Sequence, residues 1–401
     1  MKRISILYFV EKKKMMKYSA ILAASAAALF TAFLSGCSRM EVYSHGPVSE
    51  PRFVTLQEVA QLLSSIPLEE GHLKEVHDAA SASASNGYDE EYRMCELFAA
   101  PGTGVGASAP TKAETYAHPL RDALREAMLP TKADGRDARA WLDSLALSDV
   151  QIYWPNSEEW DGHTPPVITF DPGDGAEQNE GYAFLSDGSV KKLMVDEKMA
   201  DERPVWVVNR NSDAPFKSLE LRRREDPDWG NGGGEILVKS PSSSEIKTLV
   251  LRSFTAHRQF DTWFAGAAEF FVKMGALEDF TASTEAELRL YDPVITDFMI
   301  VVRRKWVGKE IPFNAILVSE WTPQLSSAAF MCIEDDGGSR TSWKCNATVK
   351  VKSQSYGVEL ELPLYSRDDI VWRGSLTRSF IERNSGSTVR FGDVDLVLEL
   401  I

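Results

Sequence analysis

The chain has 401 residues, of which 43% are hydrophobic and 10% aromatic, so composition excludes a disordered protein and allows two or three domains with cores. Its formal net charge is −15. Phosphate backbones and anionic headgroups repel such an acidic protein, so we expect no nucleic-acid partner.

Residues 1–37 predict a bacterial lipoprotein signal. An apolar, alanine-rich run from Ala20 to Leu34 follows a lysine and ends in "LSGC" at 34–37. The run is too short to span a bilayer comfortably, and small residues close it. The ending looks like a lipobox, whose cysteine receives diacylglycerol, so Cys37 is the predicted lipidation site. The alternative is an uncleaved N-terminal anchor helix.

Cleavage before Cys37 changes the charge balance. Residues 1–36 carry six Lys or Arg and one Glu, a net of +5, so the remaining chain would carry −20. Membrane attachment would therefore come from the lipid and not from a basic patch. Residues 38–54 are polar, contain two prolines and predict a tether. We expect a lipid-anchored protein of the cell envelope of a diderm bacterium, at the outer membrane.

The remaining sequence predicts an α+β protein in three regions. Residues 55–149 read as helices, beginning with a capping-box pattern at Thr55–Glu58 and including helices at His72–Ser85 and Asp89–Ala99. Residues 150–229 predict a small antiparallel sheet with a hairpin at Asp187-Gly188. After the glycine-rich connector that ends at 235, residues 235–401 predict an all-β sandwich.

Several segments together are similar to a group of uncharacterised predicted lipoproteins from Bacteroides-type gut bacteria. They are "QIYWPNSEEWDG", "RREDPDWG", "FAGAAEFFVK", "EDDGGSRTSWKC", "SRDDIVWRGSL" and "FGDVDL". The resemblance runs over most of the chain beyond the signal. It implies an envelope location and supplies no catalytic residues.

The C-terminal region also resembles calcium-binding C2 sandwiches, which carry acidic residues on loops at one end. The corresponding pairs here are Asp335-Asp336 and Asp368-Asp369, although about 30 residues separate them, whereas a C2 loop carries its aspartates within a few residues. The favoured interpretation is a solvated acidic turn that Arg340 and Arg367 partly neutralise. The competing hypothesis is that these four carboxylates bind one calcium ion, because hard cations need several oxygen ligands. No other cofactor is expected.

The stretch "CIEDDGGSRTSWKC" at 332–345 predicts a stapled hairpin. If its arms pair with Glu334 opposite Trp343, Cys332 lies directly opposite Cys345, within disulfide reach. An exported protein can keep such a bond. We therefore predict a Cys332–Cys345 disulfide, which leaves Cys95 unpaired.

No catalytic motif stands out, so we expect a non-catalytic binding or structural role, with an envelope protein or a glycan as the partner. Carboxylates and aromatic residues do cluster at 158–174, near Tyr153 and Trp154. Carboxylate pairs of this kind serve sugar hydrolases. A glycan-directed hydrolase with its site in this segment is therefore the alternative, and a calcium-binding C2-like module is a second one.

Overall fold

The computed structural model describes residues 54–99, 118–128, 135–173, 175–185, 187–211, 216–225 and 246–401. The predicted signal with Cys37, residues 38–53 of the tether and the glycine-rich segment 226–235 lie outside the described residues. Residues Ser49–Ile401 form one compact unit, which includes all three predicted regions. Within the described ranges, no helix combines the length and apolar character needed to cross a membrane.

The first helix begins where the sequence provides a capping group. Thr55 Oγ1 accepts the Glu58 N–H at 3.2 Å, and the Glu58 carboxylate accepts the Thr55 N–H at 3.2 Å, which confirms the capping box. The helices are α1 (Leu56–Ser64), α2 (Glu70–Ser85), α3 (Met94–Leu97), α4 (Pro119–Met128), α5 (Gly135–Ala146), α6 (Glu197–Glu202), α7 (Leu219–Glu225), α8 (Glu285–Leu288) and α9 (Arg378–Asn384).

A six-stranded sheet with the order β1-β2-β6-β3-β4-β5 packs against the N-terminal helices. Four of its five strand pairs are antiparallel, as predicted, but β3 and β6 are parallel, because β6 inserts between β2 and β3 after α6. Its strands are β1 (Glu91–Arg93), β2 (Val150–Tyr153), β3 (Val167–Phe170), β4 (Gln178–Phe184), β5 (Val190–Asp196) and β6 (Val205–Arg210).

The predicted helix over Asp89–Ala99 is wrong in its first half. Residues Glu91–Arg93 form an edge strand in which Tyr92 lies opposite Ile152 of β2. Only Met94–Leu97 is helical. Pairing with a distant strand overrides the local helical pattern here.

The centre of the first sheet is buried on both faces. Trp206 and Val208 of β6 point into the helical core, whereas Val205 and Val207 point to the opposite face. There the loop between β7 and β8 covers them with Trp263 and Phe264. A continuous apolar strand such as "VWVV" is typical of a sheet that is covered on both sides.

The C-terminal region is a β-sandwich, as predicted, which gives the chain an α+β fold. One sheet has the order β10-β7-β16-β15, and the other has the order β13-β12-β11-β8-β9, with β14 also paired to β11. One apolar core contains buried residues from both sheets. The ten strands are β7 (Lys247–Ala256), β8 (Ala268–Ala276), β9 (Val294–Val302), β10 (Ile311–Trp321), β11 (Leu325–Glu334), β12 (Arg340–Val351), β13 (Gln354–Tyr365), β14 (Asp369–Thr377), β15 (Ser387–Phe391) and β16 (Val394–Leu400).

Strand β11 changes neighbours along its length. On one edge its first residues pair with β12, with Leu325 opposite Val349, and residues 329–334 pair with β8. On the other edge residues 327–334 pair with β14. The β12–β13 hairpin instead packs over β8, where a Cβ on Gly275 would lie 2.4 Å from Leu360 Cδ1. A side chain at position 275 would therefore push this hairpin away.

Candidate cation-binding site

The ends of three adjacent strands gather carboxylates at one edge of the sandwich. Glu334 ends β11 and lies in register with Phe270 of β8 on one side and with Asp369 of β14 on the other. Asp335 and Asp336 follow β11 directly. The structure thus brings the two predicted aspartate pairs together, although the whole β12–β13 hairpin separates them in sequence.

Hydrogen bonds between two loops fix this arrangement. The Arg367 N–H donates to Gly337 O at 3.2 Å, and the Ser366 N–H donates to Ser339 O at 3.0 Å. Gly338 lies between these contacts with φ +101°, and a Cβ there would lie 2.7 Å from Ser366 Oγ. The loop therefore needs glycine at 338, both for its backbone conformation and for its close approach to 366.

The carboxylates form two groups that share one member. In the first group, oxygen atoms of Glu334, Asp336 and Asp369 lie within 4.8 Å of one another, and in the second group those of Glu334, Asp261 and Glu269 do so. Asp261 belongs to the loop between β7 and β8. Glu269 belongs to β8, and its carbonyl accepts the Asp335 N–H at 3.0 Å. We call the group with Asp336 and Asp369 the outer group, and the group with Asp261 and Glu269 the inner group.

The other two predicted ligands form a separate pair. The carboxyl groups of Asp335 and Asp368 lie within hydrogen-bonding reach of each other, and such a bond requires a proton on one of the two groups. Asp335 also accepts the Gly337 N–H at 3.1 Å, and Asp368 accepts the Tyr365 N–H at 2.6 Å. The four predicted ligands are therefore neighbours that divide between two arrangements, and only Asp336 and Asp369 belong to a group of three.

Glu334 is the unusual member of the cluster. Its exposed fraction is 0%, and within the described ranges no N–H or O–H group donates to either carboxylate oxygen. The Asp261 carboxyl is within hydrogen-bonding reach, but such a bond again requires a proton on one of the two groups. Burial, and next the Asp261 carboxyl, raise the pKa of Glu334 far above its ordinary range.

Neighbouring carboxylates also hold their protons more tightly than usual. Burial, and next the Asp368 carboxyl, raise the pKa of Asp335 to about 7. Burial and the charges of Asp261 and Asp369 raise the pKa of Asp336 to about 6. Near neutral pH this edge of the sandwich therefore cannot keep all of its carboxylates ionised without a compensating positive charge.

The basic residues nearby act on the cluster through their charges, but their described ion pairs are with other carboxylates. Lys273 donates to Asp297 at 2.8 Å, and Arg304 forms an ion pair with Glu197. In the described part of the chain, Arg340 and Arg367 form no ion pair with a carboxylate, and Arg367 acts on Asp336 only through its charge. An acidic turn neutralised by arginine would require ion pairs from Arg340 or Arg367, and the described residues show none.

Sequence reasoning missed Glu334, Asp261 and Glu269. The available signal was the glutamate that closes the apolar run "AAFMCIE", since a charged residue continuing a buried strand needs a partner. Asp261 and Glu269 gave no such signal. The pairing of β8 with β11 brings Glu269 to the cluster, and the path of the β7–β8 loop brings Asp261 there.

The predicted Cys332–Cys345 disulfide is wrong, and both cysteines are free thiols. In the structure, Cys332 lies between Val272 of β8 and Trp372 of β14, and Cys345 lies opposite Leu360 of β13. The prediction assumed that β11 and β12 pair along their whole length, whereas β8 occupies that edge of β11 beside Cys332.

In the described part of segment 158–174, the carboxylates of Glu158 and Asp161 take part in structural contacts. Glu158 forms an ion pair with Lys305. Asp161 accepts the Thr164 N–H at 2.7 Å, and the Thr164 hydroxyl is the main cause that lowers the pKa of Asp161 to about 2. Trp154 is 1% exposed and packs edge-on against Trp206 in the core. These residues serve a turn, an ion pair and a core.

Comparison of the chain with protein-family models, with curated proteins and with solved structures gave no match.

Proposed function

We propose that this protein binds a calcium ion at the outer group, with Glu334, Asp336 and Asp369 as its carboxylate ligands. The observation that carries the proposal is the Glu334 carboxylate, which is fully buried, has no hydrogen-bond donor and faces other carboxylates. An unpaired buried carboxylate costs several kcal/mol or more, so it must take up a proton or a cation. The other carboxylates make a cation the better solution near neutral pH.

The donor set favours calcium among the common cations. All side-chain ligands in both groups are carboxylates, and neither group contains histidine or cysteine. Zinc and copper prefer nitrogen and sulfur ligands, whereas calcium takes six to eight oxygen atoms in a flexible arrangement. Magnesium keeps most of its waters and uses one or two carboxylates, fewer than this cluster offers.

We place this binding module at the cell envelope, in a role that is non-catalytic. The support is the lipobox-like "LSGC" at 34–37 and the polar residues that follow it. Labelled palmitate should mark the wild type and leave Cys37→Ala unlabelled. Equal labelling of the two proteins would refute lipidation at Cys37. It would not bear on the proposed cation site.

Thermal melting tests the cation site. Millimolar calcium should raise the melting temperature of the wild type relative to chelator, since a ligand at 100 times its Kd adds about 2.7 kcal/mol to stability. Glu334→Gln should lose this response. It should also melt higher than the wild type in chelator, because an amide buries without a charge.

The matched control is Glu361→Gln. Glu361 is an exposed strand residue of β13 that contacts Ser342 and Lys344, away from the cluster. It should retain the full calcium response. A wild type that melts identically with calcium and with chelator would overturn the proposal, and so would a Glu334→Gln protein that keeps the wild-type shift.

A further inference from the structure

The two carboxylate groups share Glu334, and its geometry suits more than one cation. Both of its oxygens lack donors, and each group supplies two further carboxylates. A single cation in the outer group would leave Asp261 and Glu269 of the inner group facing a buried carboxylate. A bridging carboxylate, with one oxygen on each of two cations, would use both oxygens of Glu334.

The charge balance supports the same conclusion. The two groups together contain five carboxylates, so their full ionisation gives a charge of −5. One divalent cation would leave a charge of −3 on these five carboxylates, of which Glu334 is fully buried. Two divalent cations would leave −1, which the neighbouring Arg367 could offset.

We propose that the cluster binds two calcium ions, with Glu334 bridging an outer ion held by Asp336 and Asp369 and an inner ion held by Asp261 and Glu269. This inference rests on the proposed calcium site and adds a second cation position, built from residues of the β7–β8 loop and β8. The buried, unpartnered Glu334 side chain between the groups is the observation that separates this arrangement from an ordinary acidic patch.

Binding stoichiometry tests the second ion. Equilibrium dialysis of the full chain against radioactive calcium should give two tightly bound ions for the wild type and for Glu361→Gln. Asp261→Asn should keep one, because it removes a ligand of the inner ion only. Asp369→Asn should also keep one, and Glu334→Gln should bind neither ion tightly.

Each outcome decides between the possibilities. One ion in the wild type would overturn the second position and leave the outer site standing, whereas no tight ion would overturn both proposals. Loss of all binding in both Asp261→Asn and Asp369→Asn would indicate one shared ion and refute the bridge. Two ions retained in both variants would place the binding elsewhere. If Asp369→Asn fails to fold, Asp336→Asn replaces it, and the wild-type count is decisive by itself.

Discussion

At the scale of single residues, the ionised carboxylates of the cluster repel one another, and bound protons or cations reduce this repulsion. Asp335 is 5% exposed and shares a hydrogen bond with Asp368 that exists only when one of them is protonated. Raised carboxyl pKa values mean that the folded protein binds protons that the unfolded chain releases between about pH 4 and pH 7. Without a cation, the stability of the fold should therefore fall as the pH rises through this window.

We expect the free energy of unfolding in chelator to be lower at pH 8 than at pH 5 by roughly 2–4 kcal/mol, the scale of a shift of two to three pKa units in a buried group. Urea unfolding at each pH measures this difference. Calcium should abolish it at pH 8, because the cation binds the deprotonated carboxylates.

Asp335→Asn should flatten this pH dependence, since an amide can keep the contact with Gly337 without titrating. Asp187→Asn is the control, because Asp187 lies in an exposed turn where solvent screens its interactions. A wild-type stability in chelator that stays constant or rises from pH 5 to pH 8 would contradict the assigned pKa directions.

At the scale of secondary-structure elements, the predictions succeeded where local chemistry decides the outcome. The capping box at Thr55 and the hairpin joining β4 and β5 depend on neighbouring residues and are present. The predictions failed where pairing with a distant strand determines the local structure. Tyr92, predicted to be helical, instead pairs with Ile152 of β2. Partner choice also explains Cys332, because no pattern near β11 indicates that β8 replaces β12 along that edge. The aspartates of the site could be predicted from composition, but Asp261 could not, since it arrives from another loop.

The observed strand pairing predicts that Cys332 and Cys345 remain free thiols in the purified protein. Denaturation without reductant, followed by alkylation and digestion, should label both cysteines. Their mutual disulfide would appear as a cross-linked peptide in the non-reduced digest, and that result would require β12 to lie beside the end of β11.

The turn between β15 and β16 should tolerate no side chain. Gly392 has φ +60°, and a Cβ there would lie 2.3 Å from the Val371 carbonyl oxygen of β14. Gly386 also has a positive φ of +73°, but nothing lies within 4 Å of its Cβ position. Both alanine variants carry the same backbone penalty, so Gly392→Ala should be less stable than Gly386→Ala by roughly 1–3 kcal/mol in urea unfolding. Equal stability would show that β14 moves freely away from this turn.

At the scale of the whole molecule, one loop joins the carboxylate cluster to the first sheet. The loop between β7 and β8 carries Asp261 into the inner group, and two and three residues later it buries Trp263 and Phe264 against that sheet. The Trp263 indole N–H donates to Glu177 O at 3.1 Å, and the Ala267 N–H donates to the Asp89 carboxylate at 2.8 Å. A cation on Asp261 therefore restrains a segment whose next residues form the contact between the sheet and the sandwich.

We expect calcium to slow amide hydrogen exchange in residues 262–267 relative to chelator, because opening this loop would require Asp261 to leave the cation. Mass spectrometry of peptic peptides measures the exchange, and α4 (Pro119–Met128), which lies in the helical core, serves as the internal reference. Asp369→Asn should retain the protection of the loop, since its inner ion remains, whereas Asp261→Asn should lose it. Calcium-independent exchange of residues 262–267 in the wild type, with binding otherwise intact, would show that the loop holds the two parts together without help from the cation.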